Sequence, residues 1–275
     1  IGKINEEAFT AISIAFPIQN IMIGIAVGTG VGMNSLISRY LGEKNYEKSN
    51  RTAETGLALA IIYGIILLIL SRFLPRPFLS AQTTNENIIA YGIDYLQIVM
   101  GLSIGVFTQI FLERTLQSTG RSIFTMLTQL IGAVLNIILD PIFIFGYFGL
   151  PAMGVKGAAI ATVTGQIIGA LFGSFFEYKF NKEITIKKPV LDLDIVKGIY
   201  VVGVPSMITI TIQSFTIYVL NKMLSEISTS AIAALGAYFK VQSFVFMPIF
   251  GVNNGLVPIV AYNYGAKNKD RIIKT

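Results

Sequence analysis

The 275-residue chain carries a formal charge of +6, yet only 13% of its residues are charged and 53% are hydrophobic, against ~25% charged in a soluble domain. It contains no Cys and no His, which excludes disulfides, thiolate nucleophiles and Cys-based metal sites and removes the commonest general base and transition-metal ligand. Nearly all Lys and Arg fall between long apolar blocks, so membrane topology rather than nucleic-acid binding accounts for the positive charge.

Apolar blocks at roughly 8–38, 54–75, 88–112, 122–147, 157–180, 195–221 and 231–256 approach or exceed the ~20 residues that cross a bilayer. The first predicts an all-α polytopic membrane protein from the outset, with Gly24, Gly28 and Gly32 on one face for close helix packing. Its Gly28-Thr29-Gly30-Val31-Gly32 run lies in membrane with no strand before it, so it is not a nucleotide loop. The third ends near Glu113 and Arg114, which, like Asp94, read as interfacial and structural. The fourth carries one polar stripe, Thr125, Gln129, Gly132, Asn136 and Asp140. The fifth repeats small residues at Gly157, Ala161, Gly165, Gly169 and Gly173. A charged linker at 181–194 precedes the sixth, and the seventh holds Lys240 inside the span.

Alternate loops divide the Lys and Arg residues 15 to 5, Lys240 aside. Cytoplasmic loops collect positive charge, so residue 1 is expected outside and segments 39–53, 113–121, 181–194 and 261–275 in the cytoplasm. The chain begins at Ile1 without a signal-peptide pattern and stops in a basic stretch, which reads as a piece cut from a longer protein.

Residues 8–52 align without a gap on 231–275, at an offset of 223. About ten positions are identical, among them Gly28/Gly251, Gly32/Gly255, Gly42/Gly265, Lys44/Lys267 and Asn45/Asn268. The offset passes an even number of spans, which makes this a parallel repeat about the membrane normal. Two lobes of six helices follow. Residues 1–186 are then the N-terminal lobe, helices two to six with the first helix outside the chain, and residues 187–275 the start of the C-terminal lobe, helices seven and eight. The latter two are expected to stand apart from the first lobe.

Asn136-Ile137-Ile138-Leu139-Asp140-Pro141-Ile142-Phe143-Ile144-Phe145-Gly146, followed by Met153-Gly154-Val155-Lys156-Gly157-Ala158-Ala159-Ile160-Ala161-Thr162, resembles the fifth-to-sixth helix signature of multidrug and toxin extrusion (MATE) transporters. Ile37-Ser38-Arg39-Tyr40-Leu41-Gly42 and Pro258-Ile259-Val260-Ala261-Tyr262-Asn263-Tyr264-Gly265-Ala266 resemble the family's second- and eighth-helix exits. Glu113 to Gly120 fits its Gram-positive, MepA-type branch. The resemblance covers the whole chain in order. It implies a six-plus-six helix, two-lobe antiporter that exports drugs or toxins against inward H⁺ or Na⁺. The acid that some branches carry in the seventh helix is missing from Gly203 to Gln213, so no coupling site is expected there.

Asp140, with Asn136 one turn away, is the candidate cation-coupling site. An ionised Asp near mid-membrane costs at least ~2.5–3.5 kcal/mol and should face a cavity or a partner. Pro141 also frees the carbonyl of Ile137 as a possible ligand. The matching positions in archaeal family members belong to a lobe-one cation site, as the resemblance implies. The plainer reading is an interhelix cap near the outer surface. Gln129, Lys240 and the repeat-related Gln19 and Gln242 are candidates for lining the substrate pathway. Interhelix hydrogen bonding competes for Gln19 and Gln242, and snorkelling or a purely structural ion pair for Lys240.

The expected function is secondary active efflux of small amphipathic or cationic molecules, by a monomer in the cytoplasmic membrane, with no cofactor beyond the coupling ion. The alternative is a flippase for lipid-linked precursors. Without His, Cys or clustered carboxylates an enzyme is disfavoured, and without a P-loop there is no ATP drive.

Overall fold

The computed structural model describes residues 5–225 and 229–275, with side chains between 210 and 250 described only in part. Its helices are α1 Glu6–Gly42, α2 Tyr46–Phe73, α3 Pro75–Ser80, α4 Glu86–Gly101, α5 Ile104–Ser118, α6 Ser122–Phe145, α7 Val155–Phe180, α8 Leu193–Ser225, α9 Thr229–Gly265 and α10 Lys269–Lys274. Among the described residues there is no strand. Asn5, Asn45 and Asn85 start α1, α2 and α4, their side-chain oxygens accepting from the orphan N–H groups of Ala8, Lys48 and Ile88. Gly146 ends α6 in the left-handed conformation, φ 76°.

Two boundaries differ from expectation. The segment 39–53 is not a loop: α1 runs to Gly42 and α2 begins at Tyr46, with Ser49, Thr52 and Ala53 buried. A charged helix end protruding from a bilayer looks like a loop to hydropathy, which sees only the apolar part. The third span is two helices, α4 and α5, bent by 45° at Leu102-Ser103.

Charged and polar loop residues pair as the alternating topology requires. Glu7 accepts from Asn85 at 3.0 Å, and Lys156 meets Asp94 at 3.3 Å, at the end expected outside. Arg121 meets Glu183 and Arg51 meets Asp192, both at 3.5 Å, at the other end.

α8 and α9 do not stand apart from the first lobe. A Cβ on Gly28 would collide with Met207 and one on Gly32 with the carbonyl of Ile199, so α1 and α8 cross antiparallel with their backbones in contact. Tyr63 of α2 bridges Thr29 of α1 and Tyr200 of α8 through hydroxyl hydrogen bonds. Ile195 and Ile199 accordingly join Met33, Ile37, Leu59, Phe107 and Phe111 in one apolar core. The linker is a strap rather than a free loop. Ile184 is buried, the N–H groups of Thr185 and Lys187 donate to Asn50 and Glu54 of α2, and the Lys187 side chain stays exposed.

The repeat has a local structural counterpart. Lys44 and Lys267 both adopt positive φ, 58° and 54°. Asn45 and Asn268 then cap α2 and α10 by accepting from Lys48 and Arg271 at 3.1 and 3.2 Å. Here α1 and α9 touch: a Cβ on Gly42 would meet the carbonyl of Tyr262, and one on Gly265 the carbonyl of Arg39. Each contact is the other shifted by 223 residues. A pseudo-two-fold axis therefore passes between Gly42 and Gly265, and because both helices end there, it runs along their common direction, as a parallel repeat requires.

Candidate functional site

Asp140 lies in the last turns of α6, half-buried, next to Pro141. Asn136, one turn earlier, places its Nδ2 3.5 Å from Asp140 Oδ1 and 3.4 Å from Thr162 Oγ1 of α7. Glycines make this reach possible: a Cβ on Gly165 would stand 2.7 Å from the Gly132 carbonyl oxygen and 3.5 Å from Asn136 Cβ. Tyr95 of α4, 6% exposed, donates from its hydroxyl to Gln19 Oε1 of α1 at 3.1 Å. The Asn136 amide nitrogen thus lies between the Asp140 carboxylate and the Thr162 hydroxyl, which itself donates to the carbonyl of Ala158 at 2.9 Å.

The other pathway candidates fare differently. Gln19 makes the interhelix bond just described. Gln129 Nε2 donates to Glu113 Oε2 at 2.9 Å inside the first lobe. Gln242 is half-buried on α9, and the Lys240 side chain lies outside the described residues.

Glu113 was not expected to be buried. Read as interfacial, it is 5% exposed, accepting from Gln109, Thr128 and Gln129. Glu177 near the end of α7 is 8% exposed and accepts from Asn181. Burial comes from neighbouring helices, and the available signal was the stripe of Thr125, Thr128 and Gln129, which needs a polar partner on a facing helix.

The two lobes also meet through polar groups. Pro258 has no N–H for the carbonyl of Asn254 one turn earlier on α9. Gln117 of α5 supplies one, its Nε2 donating at 3.1 Å. Arg114 and Asn34 hold the same side chain by donating to Gln117 Oε1 at 2.7 and 3.2 Å. Beside this contact a cavity of about 660 Å³ opens at the end expected in the cytoplasm, lined by Gln117, Ser118, Pro258, Tyr262, Asn263 and Arg271.

Long apolar helices, with the ends of α1 and α9 related by a pseudo-two-fold, give the architecture of a multi-pass membrane protein. The MatE family profile matches residues 1–142 and 205–275, and the chain belongs to that family. It is 30% identical to the multidrug export protein MepA of Staphylococcus aureus strain N315, over 98% of this chain and 59% of that protein. Against the MepA protein of Staphylococcus haemolyticus the identity is 29%, with the same coverage. The chain thus spans about three-fifths of the curated relatives it matches. Its fold superposes with a TM-score of 0.91 on an outward-facing multidrug resistance MATE transporter of the MOP superfamily, at 24% identity over 98% of this chain and 60% of that one. For a MOP-superfamily transporter from Pyrococcus furiosus the TM-score is 0.89, at 22% identity over 100% of this chain and 61% of that one. These relatives are transporters, and an enzymatic reading has no place among them.

Proposed function

We propose that the chain forms helices two to six of the first lobe and the start of the second in a secondary active exporter of the cytoplasmic membrane. It acts as a monomer and moves small amphipathic or cationic molecules outward against H⁺ or Na⁺. The membership in MatE and the export proteins among its relatives support the class of activity. The observation that carries the coupling site is Asn136, whose amide lies between Asp140 and Thr162. A coupling group must exist neutralised and ionised in turn. Asp140, half-buried beside an amide and a hydroxyl that can serve either form, meets that requirement.

The test is Asp140→Asn in the full-length protein reconstituted in vesicles. Gradient-driven efflux of a cationic dye should be lost while expression and thermal stability persist. Normal pumping by Asp140→Asn would make this carboxylate a structural cap. Running the same vesicles with a lipid-linked precursor in place of the dye separates export from flipping.

A further inference from the structure

Glu113 is a buried carboxylate that the coupling site does not use. It stands on α5, while Gln129 and Asp140 are eleven residues apart on α6, roughly 16 Å at 1.5 Å per residue. Its Oε1 accepts from Gln109 Nε2 at 3.0 Å and from Thr128 Oγ1 at 3.3 Å, and its Oε2 from Gln129 Nε2 at 2.9 Å. Thr125 donates to its backbone carbonyl at 3.0 Å. Among the described residues no Lys or Arg nitrogen comes within ion-pairing distance of it. Its neighbour Arg114 turns away towards Gln117 and lies against Gly30.

A lone carboxylate inside a membrane protein is costly, and neutral donors offset only part of that cost. A bound monovalent cation removes it. The surroundings suit one. The Gln109 and Gln129 amides present oxygen as readily as NH₂ after a half-turn, and with the Thr128 hydroxyl and the carboxylate they supply oxygen ligands from two helices. Space for the Gln109 amide is made by Gly169 of α7, where a Cβ would stand 2.9 Å from its Cδ and Nε2. Of the charged groups on the elements around it, Arg114 on α5 acts on this carboxylate without pairing with it, Arg121 before α6 acts on Glu177 of α7, and α6 itself carries no ionisable group other than Asp140.

We propose that Glu113, with Gln109, Thr128 and Gln129, is a second ion site of the first lobe, taking a monovalent cation, H⁺ or Na⁺, independently of Asp140. The readout needs no transport, so failure of the export reading leaves it intact. pH-difference infrared spectra of the full-length protein in lipid would be recorded for Asp140→Asn, for Asp140→Asn with Glu113→Gln, and for Glu177→Gln as a control, each in choline and in Na⁺ buffer. Asp140→Asn should retain a titrating protonated-carboxyl band that Glu113→Gln removes and Glu177→Gln does not. Na⁺ that suppresses this band identifies Na⁺ as a ligand, and a band indifferent to Na⁺ identifies H⁺ alone. Identical spectra with and without Glu113→Gln in both salts would overturn the site. Should Glu113→Gln not fold, Gln129→Leu keeps the carboxylate and withdraws one donor. It should move the band's midpoint by about one pH unit, a tenfold change in proton affinity, and an unmoved midpoint also refutes the site.

Discussion

At Asp140 a single amide serves two partners. Asn136 lies at 3.5 and 3.4 Å from the carboxylate and from Thr162, long for hydrogen bonds, so the cluster is loosely tied, as the proposed coupling role requires. Asn136→Leu removes both links. Each is worth about 0.5–1.5 kcal/mol, and losing one when the ion binds should raise the ion concentration for half-maximal efflux about 2–12-fold. The measurement is efflux against external pH and Na⁺. Unaltered ion dependence would mean that the amide only packs α6 against α7.

Between elements, contact depends on side chains that are absent and on hydrogen bonds that are displaced. Gly32 lets α1 lie on the Ile199 carbonyl, so Gly32→Leu should overpack the crossing, destabilising by about 1–3 kcal/mol, and lower the melting temperature in detergent. A melting temperature equal to that of the unmodified protein would show that the crossing is not close. The Gln117–Asn254 contact lends itself to a double-mutant cycle. Gln117→Leu leaves the Asn254 carbonyl unpaired, at about 1–3 kcal/mol if it stays dry. Pro258→Ala returns the helix's own N–H to that carbonyl. The effect of Gln117→Leu on stability should therefore shrink in the Pro258→Ala background, and strict additivity would show that no such bond links the lobes.

For the molecule as a whole, two symmetry-related turns define the axis, and charge defines the sides. The strap 181–194 lies along α2 while Lys187 remains exposed. These 275 residues contain no Cys, so Lys187→Cys adds a single thiol to them, and the unsubstituted protein is the blank for any cysteine elsewhere. A membrane-impermeant thiol reagent should label it in inside-out vesicles and not in intact cells. Labelling only from outside the cell would invert the topology inferred from the loop charges.

The long apolar helices and the repeat at the ends of α1 and α9 could be read from sequence because each is an average over many residues: hydropathy over some twenty, identity over forty-five aligned positions. The Asn136–Asp140 pairing could be read as well, since residues four apart share a helix face whatever surrounds them. Other features depend on which helices become neighbours. Glu113 looked interfacial because it sits near the end of a span, and only the packing of α5 against α6 and α7 buries it. Helix ends that outrun their apolar stretches, the bend at Leu102-Ser103, the strap on α2 and the contact of α8 and α9 with α1 likewise follow from tertiary packing, where a glycine's missing Cβ or a proline's missing N–H matters only once another backbone or side chain arrives to use the space or the bond.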